Sequence, residues 1–169
     1  MRILYWFSFR SPLGPIFLAS TTKGVCTISI PVKTKEDFFG WIGKNFSGYE
    51  LEESVSKNEE MVGELQRYFR GTPVQFKSKL DPQGTEFQRQ VWSELQKIPY
   101  GTVITYKELA RRVGRPVGYQ AVGRANATNP LPIVIPCHRV VGSDGDLVGY
   151  GAGMKTKEYL LRLEGVLIL

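Results

Sequence analysis

Thr105-Tyr106-Lys107-Glu108-Leu109-Ala110-Arg111-Arg112-Val113-Gly114-Arg115-Pro116-Val117-Gly118-Tyr119-Gln120-Ala121-Val122-Gly123-Arg124-Ala125-Asn126 is the stretch that decides how this chain folds. Thr105 offers a side-chain oxygen to cap a helix running to Val113, with Glu108 three residues on, as in a capping box. Gly114 to Gly118 is a tight break. Tyr119 to Asn126 reads as a second, short helix, closed by Thr128-Asn129-Pro130. Helix, glycine-containing turn, short helix is the outline of a helix-turn-helix. The second helix is narrow: Ala121, Gly123, Ala125 and Ala127 alternate with larger residues. Such a surface lets a backbone approach a DNA groove and its phosphates, or lets it pack tightly on another helix.

Charge distribution separates these alternatives better than total charge. The 169 residues carry 22 Lys and Arg against 16 Asp and Glu, net +6. Residues 105–126 hold Lys107, Arg111, Arg112, Arg115 and Arg124 against Glu108 alone. That net of +4 is the whole excess of the chain's second half. A solvated surface of even charge would not concentrate it so, and a polyanion partner would use it.

Upstream, Thr85 to Ile98 predicts an amphipathic helix: Thr85 caps it, and Phe87, Val91, Trp92, Leu95 and Ile98 share a stripe. Pro99-Tyr100-Gly101 ends it, and Thr102 to Ile104 is a short extended piece. Further back, Ile3–Phe9, Ile16–Ser20 and Val25–Ile30 read as strands separated by short turns, an antiparallel meander of three. Helices follow at about 34–45, capped by Thr34, and 57–70, with Met61, Leu65, Tyr68 and Phe69 at helical spacing. Residues 72–84, with prolines and glycines, read as a linker between domains at 1–80 and 81–169.

Downstream, an apolar run, Pro130-Leu131-Pro132-Ile133-Val134-Ile135-Pro136, leads into Cys137-His138-Arg139-Val140-Val141-Gly142. A structural cysteine on a buried strand is the ordinary reading of such a run. Against it stands the chain's one histidine, adjoining the cysteine and followed by an arginine. Positive charge and a hydrogen-bonding base both promote a thiolate nucleophile. Strand neighbours point to opposite faces, so Cys137 and His138 can cooperate only if Pro136 opens a turn or a water bridges them. A histidine acting as base needs a group to orient it. Asp144, Asp146, Glu158 and Glu164 are the available carboxylates. Glu164 follows the apolar stripe Tyr159, Leu160, Leu161 and Leu163, where an unpaired charge is costly. A solvated helix end is the alternative there.

Composition bounds the rest. Hydrophobic residues are 42% and charged residues 22%, which excludes a disordered, collagenous or coiled-coil chain. No run reaches the ~18 apolar residues of a membrane span. Ser8 and Arg10 interrupt the N-terminal apolar residues too early for a signal peptide, so the expected location is cytoplasmic or nuclear. Cys26, Cys137 and His138 alone cannot supply a structural zinc site, so no metal is expected.

The Cys-His-Arg segment resembles the active-site signature of the O6-alkylguanine-DNA alkyltransferases (methylated-DNA–protein-cysteine methyltransferases). The resemblance also covers Phe87–Trp92, Ile98–Gly101, Thr105-Tyr106, Asn129-Pro130, Tyr150, Lys157–Leu161 and Glu164-Gly165, about the last half of the chain. It implies a two-domain α/β protein. The N-terminal part would be ribonuclease-H-like, a three-stranded antiparallel sheet with helices. The C-terminal part would be a mainly helical, winged helix-turn-helix domain.

The resemblance further implies single-turnover repair, in which O6-alkylguanine is flipped from double-stranded DNA and its alkyl group passes irreversibly to Cys137. His138 would act as base through a water, with Glu164 orienting it, and Tyr106 would hydrogen-bond the extruded guanine. Asn129 would brace the turn behind the cysteine. Pro132 and Tyr150 would line the alkyl pocket, Lys157 would help close it, and Arg139 would bridge structure. Thr105, Tyr119, Gln120, Ala121 and Arg124 would face DNA. No cofactor is implied, no membrane, and a monomer is expected. One position departs from the family's pattern: Gln120 stands where an arginine usually enters the DNA stack. Glutamine lacks the charge and planar fork of arginine. Its presence opens an alternative, a lesion-sensing protein with weak or absent transfer.

Overall fold

Strand β1 (Ile3–Ser11) turns at Pro12-Leu13 into β2 (Gly14–Ser20), with Ser11 opposite Gly14. The Ser11 hydroxyl closes the turn, donating to the Gly14 carbonyl at 2.7 Å and accepting from Leu13 N at 3.1 Å. Strand β3 (Val25–Ser29) pairs antiparallel with β2, completing the meander read from the sequence. The chain's computed structural model describes residues 1–30, 34–147, 150 and 153–166. It separates into two units, Met1–Gln83 and Gly84–Leu169.

The three-stranded antiparallel sheet expected for the first unit is corrected to a four-stranded mixed sheet, ordered β3-β2-β1-β4. Strand β4 (Glu50–Glu53) runs parallel to β1. Its Glu-Leu-Glu-Glu sequence is exposed throughout, so it shows no apolar alternation. Short, charged strands are what blunt the open edge of a sheet. Helix α1 (Lys35–Asn45) lies between β3 and β4 in sequence. Thr34 caps it in a full capping box with Asp37. Its Phe38 and Ile42, with Phe46, pack on Leu4, Ala19 and Cys26.

Helix α2 (Glu59–Phe69) buries Met61, Leu65, Tyr68 and Phe69. Just before it, Asn58 accepts from Ser20 Oγ at 2.6 Å and donates to the Tyr5 carbonyl at 3.3 Å. The segment read as a linker is fastened to this unit through residue 81. Glu64 of α2, almost fully buried, accepts from Lys77 N at 2.6 Å and from both the backbone N–H and the hydroxyl of Ser78. Val25 N donates to Lys79 O at 2.9 Å and Asp81 N to Val25 O at 2.7 Å. This approach requires Gly24, where a Cβ would stand 2.5 Å from Lys79 O.

The second unit is mainly helical: α3 (Glu86–Leu95), α4 (Tyr106–Arg112), α5 (Tyr119–Ala127) and α6 (Met154–Leu163). Strands β5 (Ile104–Thr105) and β6 (Val140–Val141) pair in parallel. Thr85 and Gln88 form a full capping box at the head of α3. Trp92, 2% exposed, fixes α3 to α5 by donating its indole N–H to Ala125 O at 2.8 Å. Burying so large a side chain contributes on the order of 3 kcal/mol. Thr105 caps α4 as read, accepting from Glu108 N at 3.0 Å. The reciprocal half of that box is absent among the described residues: Glu108 turns its carboxylate to Arg111 and Arg112 instead. Those partners sit three and four residues along the helix, where side chains meet.

Candidate active site

The apolar run before the cysteine is a turn, not a strand. Ile135 N donates to Leu131 O at 2.9 Å, and Ile133 adopts a φ of 75°. A β-branched residue in that region is strained and persists only where its surroundings impose it. Asn129 supplies part of the constraint. Its amide donates to Ile135 O at 2.7 Å, and its Oδ1 accepts from Leu131 N at 2.9 Å. Pro132 stands half-buried in the same turn.

Cys137, His138 and Arg139 then form one turn of 3-10 helix directly after Pro136. The chain thus takes the turned form that cooperation between Cys137 and His138 requires. The three side chains are buried. His138 Nε2 meets Glu164 Oε2 at 2.6 Å. Arg139 grips the same carboxylate with Nε at 2.8 Å and Nη2 at 3.1 Å. Its Nη1 donates to Ile98 O at 2.7 Å, and its guanidinium lies 5.8 Å from the Tyr100 ring centre. Gly101 N adds a fourth donor to Glu164 at 3.1 Å.

These partners set the protonation states. Burial alone would raise the Glu164 pKa, but hydrogen bonds from His138 and Arg139 outweigh it and hold the carboxyl at about 2. Burial pulls His138 below its ordinary value, against the opposing pull of Glu164, so the imidazole is neutral at pH 7. An ionised carboxylate only accepts, so Nε2 carries the proton and Nδ1 the lone pair. Burial pushes the Cys137 thiol up, while hydrogen bonds from Asn129 and Tyr150 and the charge of Lys157 act in the other direction. Lys157 is fully buried; its ammonium donates to Val140 O and lies 5.8 Å from the ring centre of Tyr106 and 5.9 Å from that of Tyr150. Burial lowers its pKa to about 8. Tyr106 is pushed up by burial and by Cys137, and its Oη accepts from Asn126 Nδ2 at 3.5 Å.

Tyr106, Asn129, Tyr150 and Lys157 therefore act on the Cys137 thiol, while His138, in the same turn, pairs with Glu164. Thr105 stands at the head of α4, and Tyr119, Gln120, Ala121 and Arg124 lie along α5. Tyr119, Gln120 and Arg124 are exposed, Ala121 is half-buried, and the Thr105 hydroxyl is engaged as a cap. Residues 86–166 match the family described as 6-O-methylguanine DNA methyltransferase, DNA binding domain. Residues 4–82 match the ribonuclease-like domain of the same description. A Methanosarcina acetivorans methylated-DNA–protein-cysteine methyltransferase is 42% identical, aligned over 96% of this chain and 99% of its own.

The chain belongs to the 6-O-methylguanine DNA methyltransferase family. A Mycobacterium leprae relative named methylated-DNA–protein-cysteine methyltransferase shares 40% identity over 93% of this chain and 90% of its own. Among solved structures, Mycobacterium tuberculosis OGT in complex with DNA superposes with a TM-score of 0.82 at 36% identity, covering 95% of this chain and 92% of that one. In this methyltransferase-family chain the sequence reading missed Asn126 and Gly101. Asn126 was legible in principle: it lies four residues from buried Val122, a polar residue on the apolar face of α5. Gly101 contributes only a backbone N–H, which no pattern announces.

Proposed function

We propose that this protein repairs DNA by moving the alkyl group of O6-alkylguanine to its own Cys137, once per molecule. The observation that carries this reading is the buried Glu164–His138 pair, whose histidine lies in the same 3-10 turn as Cys137. His138 Nδ1 is the site for the thiol proton, taken through a water. The thiolate sulfur attacks the alkyl carbon and the carbon–O6 bond breaks. The electron pair passes to guanine, whose N3 takes a hydrogen bond or proton from Tyr106. Tyr106 suits that donation, because burial keeps its hydroxyl protonated. Lys157, near the sulfur, favours the thiolate. Asn129 and Tyr150 steady it, and Pro132 and Tyr150 border the alkyl group. The product is a thioether, which water does not readily cleave, so the reaction consumes the protein.

DNA is the partner. Guanine O6 lies inside the duplex, so the nucleotide must leave the stack, at a cost of a few kcal/mol. The exposed face of α5, with Gln120 and Arg124 beside half-buried Ala121, is the surface proposed to enter the groove. No described helix is long and apolar enough to cross a membrane. Incubation with a duplex containing O6-methylguanine, followed by intact and peptide mass measurement, should show one methyl group on the Cys137 peptide. Cys137→Ser should gain none and still bind DNA. Binding without any methyl gain in the parent chain would identify the lesion-sensing alternative that Gln120 raises. Repeated turnover would overturn the single-use mechanism.

A further inference from the structure

The cations between residues 105 and 126 are not equally available to DNA. Arg111 and Arg112 both hold Glu108, at 2.6 and 3.1 Å. Arg115, in the turn between α4 and α5, is exposed, and among the described residues no carboxylate pairs with it. It is nevertheless held in place. Its guanidinium carbon lies 4.6 Å from the ring centre of Phe87, in the first turn of α3. Its backbone is fastened on both sides. The Arg115 N–H donates to Ala110 O at 2.8 Å, and the Arg115 carbonyl accepts from Gly118 N at 2.8 Å. A Cβ at Gly118 would stand 3.1 Å from that of Arg115, so the bare position admits this path of the turn.

The platform under Arg115 is tied to the helix proposed to enter the groove. Trp92 fastens α3 to Ala125 of α5, and Gln88 Nε2 donates to Thr128 Oγ1, just past the end of α5, at 3.2 Å. Gln90 Nε2 donates to Val113 O, at the end of α4, at 3.4 Å. The Phe87 ring meets the charge of Arg115, but the planar fork of N–H donors still calls for an acceptor. A phosphate matches that fork with two parallel hydrogen bonds. Freezing a long side chain on binding costs rotamer freedom, and the ring has already restricted that of Arg115. Lys107 and Arg124, also exposed, have no ring beneath them among the described residues. We propose that Arg115, braced by Phe87, is a fixed anchor for one backbone phosphate of the DNA and sets the register of α5 in the groove. Phosphate contacts position a protein on the duplex without reading its sequence. An anchor joined through α3 to α5 fixes where that helix stands. It acts before the nucleotide leaves the stack and takes no part in the transfer to Cys137.

This inference rests on DNA as the partner and on α5 as the helix that meets it. The experiment measures binding of an unmodified duplex over a range of salt concentrations by the parent, Arg115→Gln, Arg115→Lys and Phe87→Leu. One lost phosphate contact lowers the slope of log affinity against log salt by about 0.9. Arg115→Gln should show that loss of slope and bind roughly tenfold more weakly at about 0.1 M salt. Phe87→Leu keeps every charge, so it should keep the slope and still bind more weakly, because the anchor has lost its brace. Arg115→Lys should do the same, since an ammonium is a point charge without the fork. Subsaturating transfer rates on an O6-methylguanine duplex should fall in step with binding, while the rate with free O6-methylguanine holds. An unchanged slope in Arg115→Gln would overturn the anchor. Equal losses of rate on duplex and free base would do so too, making Arg115 a support of the turn alone. A Phe87→Leu protein that binds like the parent would overturn the brace. Should Phe87→Leu not fold, the two substitutions at exposed Arg115 still decide. A parent protein that binds no duplex would remove the DNA reading and this inference with it. A parent that binds but never methylates Cys137 would remove the transfer reading alone, and the slopes would still judge Arg115.

Discussion

Lys157 shows at the scale of one residue how burial makes a side chain useful. A lysine fully enclosed by Tyr106, Tyr150 and the Val140 carbonyl loses hydration, and its pKa falls from 10.5 to about 8. It is still mostly charged at pH 7, and that charge opposes the upward push of burial on the Cys137 thiol. Removing it by Lys157→Met should raise the thiol pKa. The rising limb of the pH–rate profile with a free O6-alkylguanine should then move to higher pH. A shift of about one unit would slow the reaction at pH 7 roughly tenfold. The check is the pseudo-first-order rate between pH 6 and 9. An unmoved limb with a uniformly lower rate would make Lys157 a packing residue. Cys26 is the contrasting case: burial and the Asp81 charge push its thiol up to about 12, and it donates to Ala19 O at 3.3 Å. Cys26→Ser should leave transfer intact wherever the fold survives.

At the scale of elements, α5 presents two faces of different use. Val122, Ala125 and Asn126 are buried, while Gln120, Arg124 and Ala127 form the exposed side. Gln120 can hydrogen-bond an orphaned base but lacks a planar cation to stack in its place. Gln120→Arg should therefore tighten duplex binding and raise the subsaturating rate on duplex substrate, leaving the rate on free alkylated guanine nearly unchanged. Equal changes on both substrates would assign Gln120 to the pocket or to stability. The helical period made α2 and α3 legible in the sequence, because apolar residues at that spacing have one way to bury together. The N-caps at Thr34 and Thr85 were local signals, and the structure completes both into full capping boxes. Strand β4 was not legible: an exposed edge strand has no apolar face to betray it. Half of the box at Thr105 failed because Arg111 and Arg112 compete for Glu108. The site divides in the same way. Cys137 beside the lone histidine stood out in the sequence. The grip of Arg139 on Glu164 spans 25 residues and depends on tertiary packing.

At the scale of the whole molecule, that grip links the active site to the stability of the second unit. Glu164 joins the end of α6 to the 3-10 turn and to Gly101, so its ionisation holds distant segments of this unit together. Its pKa is depressed, from 4.5 to about 2. A depressed carboxyl contributes stability in full above its unfolded pKa, and the contribution is lost as pH falls through the folded value. The window is therefore pH 4.5 down to 2, and the shift corresponds to about 3 kcal/mol. The tryptophans allow each unit to be followed within the intact chain. Trp6 and Trp41 belong to the first unit and Trp92 to the second. The indole resonance of Trp92 should leave its native position at lower urea as pH drops through this window. In Glu164→Gln the Trp92 midpoint should be lower already at pH 7, because Arg139 loses its charged partner, and should fall less steeply than the parent's below pH 4.5, where the exposed Glu108, held down by Arg111 and Arg112, still titrates. A Trp92 midpoint in the parent protein that does not move between pH 4.5 and 2.5 would show that Glu164 orients His138 without holding the unit together.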